Sequence, residues 1–395
     1  MTRLAIAAAL GLTCVVVGCG RDADGSTASV ITEVDGVRHV TLPAHDRLDV
    51  PEWDLTETYN TSSDGAKVEL FRVVGARLLE DGSLVIANSG TNELLHLDSA
   101  GKIQGRYGRE GGGPGEYKSI ASIDIDRSGM LVVYDPREIR LTRISADGQV
   151  VETSRLSSDD PVVGLLPLAE TADGKFLAVF GEARIFRRSA EFRDTIPLLI
   201  VDPAAETWDT IAAWPAQEWA GVEVGGGVAR SEIGFGRALA YSGRNGSVAI
   251  GSTDSLDIHV FDETGRRSMR LAGWGADRQV TPAAVERWRS GVLDRLRQVP
   301  EELRVALGQA PHRNTYPAFQ RLLVDDRGRI WIGLYPPPGE PQDWIVVDKE
   351  GHVAGRVTVP PESRLLDAAG DQLVVAGRTE LDEEYVSVLR VNEDR

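Results

Sequence analysis

The chain has 395 residues and a formal net charge of −17 at pH 7, from 43 Lys and Arg against 60 Asp and Glu. So acidic a chain is a poor match for nucleic acid and for anionic lipid surfaces. Its two cysteines, Cys14 and Cys19, exclude a disulfide framework, and its 42 glycines suit an all-β fold with many turns.

The chain opens on a targeting pattern. Arg3 supplies a positive start, and Leu4 to Val17 is a nearly unbroken apolar run, too short for a membrane-spanning stop-transfer helix. It ends Val16-Val17-Gly18-Cys19. This resembles the lipobox of bacterial lipoproteins. The resemblance implies cleavage before Cys19, a thioether-linked diacylglycerol on its sulfur and an N-acyl chain, which together hold a domain at a membrane surface. An ordinary secretory signal ending in a cysteine is the alternative. Residues 1–18 are thus expected to be a signal peptide and 19–33 a lipidated flexible tether, with Gly20 after the cysteine favouring the outer membrane in a Gram-negative cell. With Cys14 discarded and Cys19 capped, thiol catalysis and cysteine metal sites drop out.

Length alone suggests more than one domain, but an internal repeat overrides that prior. An apolar strand, a Gly turn, a second strand, a third strand often ending in Asp, another Gly turn and a fourth strand recur. The units begin at Arg77, Ile123, Asp173, Asn245, Arg327 and Gly370. Period-two alternation and pairs such as Asp81-Gly82, Asp147-Gly148 and Asn245-Gly246 predict hairpins with positive φ at both turn positions. Four-stranded units of about 40–50 residues predict a six-bladed β-propeller over 34–395. The sixth unit lacks a strand, so an upstream segment must complete it. Trp53 to Tyr59 is preferred over Val34 to Leu42.

Three stretches are distinctive: GREGGGPGEY at Gly108 to Tyr117, RLLVDDRGRIWIG at Arg321 to Gly333, and TELDEEYVSVLRV at Thr379 to Val391. They resemble bacterial exported six-bladed β-propeller proteins related to NHL-repeat propellers, over roughly Trp53 to the end. That family is largely uncharacterised, so the resemblance implies a fold and not an activity.

Two insertions lengthen the repeat. Thr281 can cap and Pro282 can open a helix carrying Val285, Trp288, Val292 and Leu296 on one face, and a second short helix runs from Pro300 to Gly308. This helical hairpin, 281–310, lies between blades four and five. It either packs on a blade flank or covers one end of the channel. Trp214 to Gly236, with Gly225-Gly226-Gly227, reads as a mobile loop.

Candidate site residues are few. Arg77, Arg237, Arg321 and Arg364 are each expected at the onset of an innermost strand, making a cationic mouth for an anionic ligand. Glu116, in the Gly-rich connector, either braces an inter-blade crossing or contacts that ligand. Asp124, Asp126, Ser128, Gly129 and Asp135 imitate part of a calcium loop, but strand alternation makes them a hairpin. The six histidines are scattered, and no nucleophile elbow or phosphate loop is present. The reading is therefore a monomeric, envelope-anchored binding scaffold for a protein, peptide, glycan or small anion, with no cofactor and no metal. The alternative is a metal-dependent propeller enzyme of lactonase or lyase type, acting on a small molecule in the channel.

Overall fold

The runs Leu84–Asn88, Leu131–Asp135 and Ile330–Gly333 are buried at every position. Each is the second strand of a sheet covered on both faces, which is why it reads as continuous hydrophobe rather than alternation. The computed structural model describes residues 28–62, 68–156, 164–180, 190–296 and 298–393. The signal segment, Cys14, Cys19 and the start of the tether lie outside them.

Blade one pairs Val73–Leu78, Leu84–Asn88, Glu93–Leu97 and Ile103–Tyr107 in that order. The five further blades begin with Ser122–Ile125, Leu165–Glu170, Leu239–Arg244, Arg321–Val324 and Arg364–Ala369. Each continues outward through antiparallel neighbours. The chain is a six-bladed β-propeller. Apolar side chains of adjacent blades interlock, as where Leu84, Ile86 and Leu95 of blade one meet Val374, Val386 and Val388 of blade six.

The recurring Asp before a Gly turn has a specific use. Asp98, Asp126, Asp262, Asp325 and Asp348 each accept, through Oδ1, the amides two and four residues ahead at 2.8–3.1 Å. The glycine three residues ahead has positive φ in all five. The expectation of paired positive φ holds at Asn245-Gly246 but not at Asp81-Gly82 or Asp147-Gly148, where only the glycine is left-handed. Those two are three-residue turns with a glycine bulge, closed by Gly82 N to Leu79 O and Gly148 N to Ser145 O.

Blade six is completed by Glu52–Asn60, which pairs antiparallel with Glu384–Asn392 from Asn60↔Ser387 to Asp54↔Asn392. The same strand starts in parallel beside blade five, at Glu52↔Arg356 and Trp53↔Val357. Blades five and six therefore share one eight-stranded sheet. Upstream, Val30–Val34 and Val37–Thr41 form a hairpin that adds in parallel to blade four's outer strand, Arg267–Gly275. The expected tether thus ends sooner than residue 33: alternating Val30, Ile31 and Thr32 before the Asp35-Gly36 turn make a strand.

Trp214 to Gly236 is not a loop. Blade three's outer strand runs Thr207–Val224, turns at Gly225-Gly226 and returns as Gly227–Glu232, an antiparallel arm. Glycines at a tight turn of positive φ look in sequence like flexibility. The insertion forms helix α1, Pro282–Arg295, capped by Thr281 Oγ1 accepting Ala284 N at 3.2 Å, and helix α2, Glu301–Gly308.

Candidate functional site at the channel mouth

The six inner strands surround the axis, starting on the face where the inter-blade links arrive and ending on the face of the Asp–Gly turns. The two ends differ in charge balance.

The turn-side end is crossed by ion pairs. Arg244 of blade four pairs with Asp367 of blade six, with side chains 5% and 2% exposed. Asp367 Oδ2 also accepts Leu78 N of blade one at 2.9 Å. A bulge between Leu365 and Asp367 marks this inner strand. Beside it, Arg77 Nε donates to Asp124 Oδ1 at 3.0 Å and Arg77 Nη1 to Leu366 O at 3.1 Å. Burial lowers the Arg77 pKa, but Asp124 and Asp367 outweigh it and the net shift is upward.

This corrects the expectation for Arg77. It is the fifth residue of Val73–Leu78, not an onset residue, because the strand begins upstream at a bulge between Val73 and Gly75. The arginine at blade one's onset is Arg72, which the turn-based register missed. It is exposed, has φ of 56° and sits 5.2 Å from the Phe71 ring.

The mouth is different. Arg321 and Arg364 are the first residues of their inner strands, and Arg237 lies two residues before Leu239–Arg244. Arg237 Nη1 donates to Phe235 O at 3.0 Å and Thr315 O at 2.9 Å, and Nη2 to Thr315 Oγ1 at 2.6 Å. Arg364 donates to Val73 O. Arg278, which no sequence pattern singles out, donates to Tyr335 O and lies 4.6 Å from the Tyr316 ring. These acceptors are neutral, so among the described residues no hydrogen bond or ion pair joins the three guanidiniums to a carboxylate, although Glu218, Glu384 and Glu340 lie near enough to act on Arg237, Arg364 and Arg278. The Arg321 guanidinium has no hydrogen-bond or ion-pair partner among the described residues and reaches solvent. Burial lowers the pKa of all four, and Arg364 lowers that of Arg321 further.

Both insertions stand on this face. Phe235, at the foot of blade three's arm, meets Tyr316 at 5.2 Å and 85° and Trp288 of α1 at 6.0 Å. Helix α2 rests on the arm. Glu218 fastens the arm: its carboxylate accepts Arg313 Nη2 at 3.0 Å and the Arg237 amide at 2.7 Å. Burial would raise the Glu218 pKa, but these bonds bring it below the usual glutamate range.

Glu116 lies off this site. Its Oε1 accepts Arg109 Nη2 at 2.6 Å and its Oε2 accepts Gly113 N at 2.9 Å, so the carboxylate closes its own loop. Arg140 of blade two holds the loop from below through Gly112 O and Glu116 O. The connector is a braced crossing seated on the buried Tyr117.

The calcium-like residues are dispersed. Asp124 faces Arg77, Asp126 caps its own turn, and Asp135 accepts the amides of Lys118 and Arg137 at 2.7 and 2.9 Å. Among the described residues, no group of three or more His, Cys, Asp or Glu is placed to hold a metal.

A family model described as a 6-bladed beta-propeller matches residues 70–189. No curated protein matches the chain. Among solved structures, the chain is similar to a candidate exported protein of Bacteroides fragilis, with 13% identity, TM-score 0.45, and 90% of this chain and 99% of that one covered. It is similar to a member of the DUF4221 family from Bacteroides vulgatus, at 12% identity and TM-score 0.48, covering 86% and 98%. It is also similar to a gluconolactonase of Xanthomonas campestris, at 13% identity and TM-score 0.44, covering 86% and 90%.

Proposed function

We propose that this propeller is a non-catalytic binding protein of the bacterial cell envelope, lipid-anchored through Cys19, whose channel mouth takes an anionic ligand. The observation that carries the site is the unpartnered guanidinium of Arg321 beside Arg364. Among the described residues no carboxylate bonds it, on a chain of net charge −17. A carboxylate, sulfate or phosphate placed between the two arginines offsets the repulsion between their like charges, and bidentate geometry favours planar or tetrahedral oxyanions. Arg237 and Arg278 flank the mouth with charge not cancelled by their carbonyl partners. The Phe235–Tyr316–Trp288 cluster supplies a rigid wall. The metal-dependent enzyme reading needs free inner-strand carboxylates around the axis. Asp124 and Asp367 instead bind Arg77 and Arg244.

Calorimetry on the full-length chain in non-ionic detergent tests the site, with inorganic phosphate, sulfate and glucuronate as probes. At least one binds saturably. Arg321→Ala or Arg364→Ala weakens it about tenfold or more, the scale of a lost charged hydrogen bond, whereas Arg109→Ala leaves it unchanged. No binding by any probe, or an unchanged affinity in Arg321→Ala, rejects the anion reading. The anchor is tested separately: Cys19→Ser moves the protein out of the membrane fraction and abolishes labelling by radioactive palmitate. Membrane retention of the variant with no label in either form rejects lipidation.

A further inference from the structure

Blade two's outer strand, Val150–Arg155, has an unpaired edge among the described residues. Blades four and five have the same kind of edge, and there the chain covers it. Both carry a bulge between the third and outer strands, with a parallel strand added just beyond it. In blade four, Arg38–Thr41 lies against Met269–Ala272, and in blade five Glu52–Trp53 lies against Arg356–Val357. Blade two has the matching bulge: Glu152 faces Arg143 and Val150 faces Ile144, with Val151 as the extra residue. Glu152–Arg155 is thus the counterpart of the segment that accepts a parallel strand in blade four.

A groove of about 830 Å³ runs beside this edge toward blade three, with Glu152, Ser154, Glu170 and Phe176 in its walls. Three carboxylates converge on one guanidinium there. Arg143 reaches Asp126 at 3.3 Å, Glu152 at 3.1 Å and Glu170 at 2.7 Å. The groove's other guanidiniums, Arg127 and Arg155, are themselves paired, with Glu263 and Glu138. The Arg143 cluster therefore carries excess negative charge, and Glu152 is 56% exposed at its rim.

We propose that Glu152–Arg155 is a strand-addition site, at which an extended, lysine- or arginine-bearing segment of a partner protein pairs in parallel with the edge and lays its basic side chains in the groove. Backbone hydrogen bonds supply the pairing, and the carboxylates select the charge of alternate residues. The surface is remote from the channel mouth and independent of the anion site.

The probe is a fluorescein-labelled peptide of three Val-Lys repeats, titrated by anisotropy into the full-length chain, with hydrogen exchange followed on the complex. Saturable binding is expected, with slowed exchange at the amides of 152–155. Glu152→Lys weakens it about tenfold or more, as truncating or reversing a recognition charge does, and Glu152→Gln weakens it less. Equal binding of the Val-Glu counterpart, unchanged affinity in Glu152→Lys, or protection confined to another blade overturns the proposal. So does a concentration-dependent dimer that protects the same amides without peptide, which would assign the edge to a second copy of this chain.

Discussion

Asp367→Ala is expected to destabilise the propeller by about 3–5 kcal/mol, the cost of leaving a buried charge without its partner. Arg244 is almost wholly enclosed and, among the described residues, has no second carboxylate bonded to it; its other acceptor there is Ala368 O at 3.4 Å. The same substitution strips Leu78 N of its acceptor. Because Asp367 touches blades one and four from blade six, the loss falls on ring closure, not on one sheet. Chemical denaturation of the variant measures the cost. The double variant Arg244→Met, Asp367→Leu should recover most of it, since no charge is then left uncompensated. A cost below about 1 kcal/mol for Asp367→Ala would mean that water reaches Arg244 freely, against its enclosure here.

Trp53→Ala is expected to cost a similar amount, about 3–5 kcal/mol, from lost burial and the cavity left behind. Trp53 is 5% exposed, lies edge-on to Trp331 at 6.2 Å and covers Gly355. Arg329 sits 5.7 Å from its ring and 5.5 Å from that of Trp331, held by Asp325 at 2.6 Å and Glu393 at 2.9 Å. Trp53 therefore joins the closing strand to blade five and, through Arg329, to the chain's end. Hydrogen exchange at Glu384–Asn392 should accelerate in the variant, because its neighbour Glu52–Asn60 loses its anchor. Unchanged exchange there, together with a full loss of stability, would place the effect in blade five alone.

The repeat was legible because it is written in local chemistry. Gly turns, apolar strands and third strands that end in Asp are short-range features that specify hairpins whatever surrounds them. The closing strand was legible for a topological reason: blade six lacks a fourth strand, and Glu52–Asn60 directly precedes blade one. The helices were legible through Thr281, Pro282 and the spacing of Val285 and Trp288. The first failures came where one local sign has two physical causes. Glycines at 225–227 mark a tight hairpin and would equally mark a mobile loop, and only pairing between Val222 and Ala229 distinguishes the two.

The candidate site depended on register, and register is where sequence is weakest. A single bulge at Val73 and Gly75 shifts blade one, sending Arg77 to the turn-side end and putting Arg72 at the onset. Whether an arginine is cancelled or free depends on residues far away in the chain: Arg77 meets Asp124 and Leu366 O, while Arg321 meets no acid among the described residues. The sequence by itself determined the fold class, the blade count and the helical insertion, because these follow from periodicity and turn chemistry within a few residues. Which charges meet across the axis and which outer edges the N-terminal strands cover were decided only by the tertiary structure, because each depends on contacts between residues tens to hundreds of positions apart.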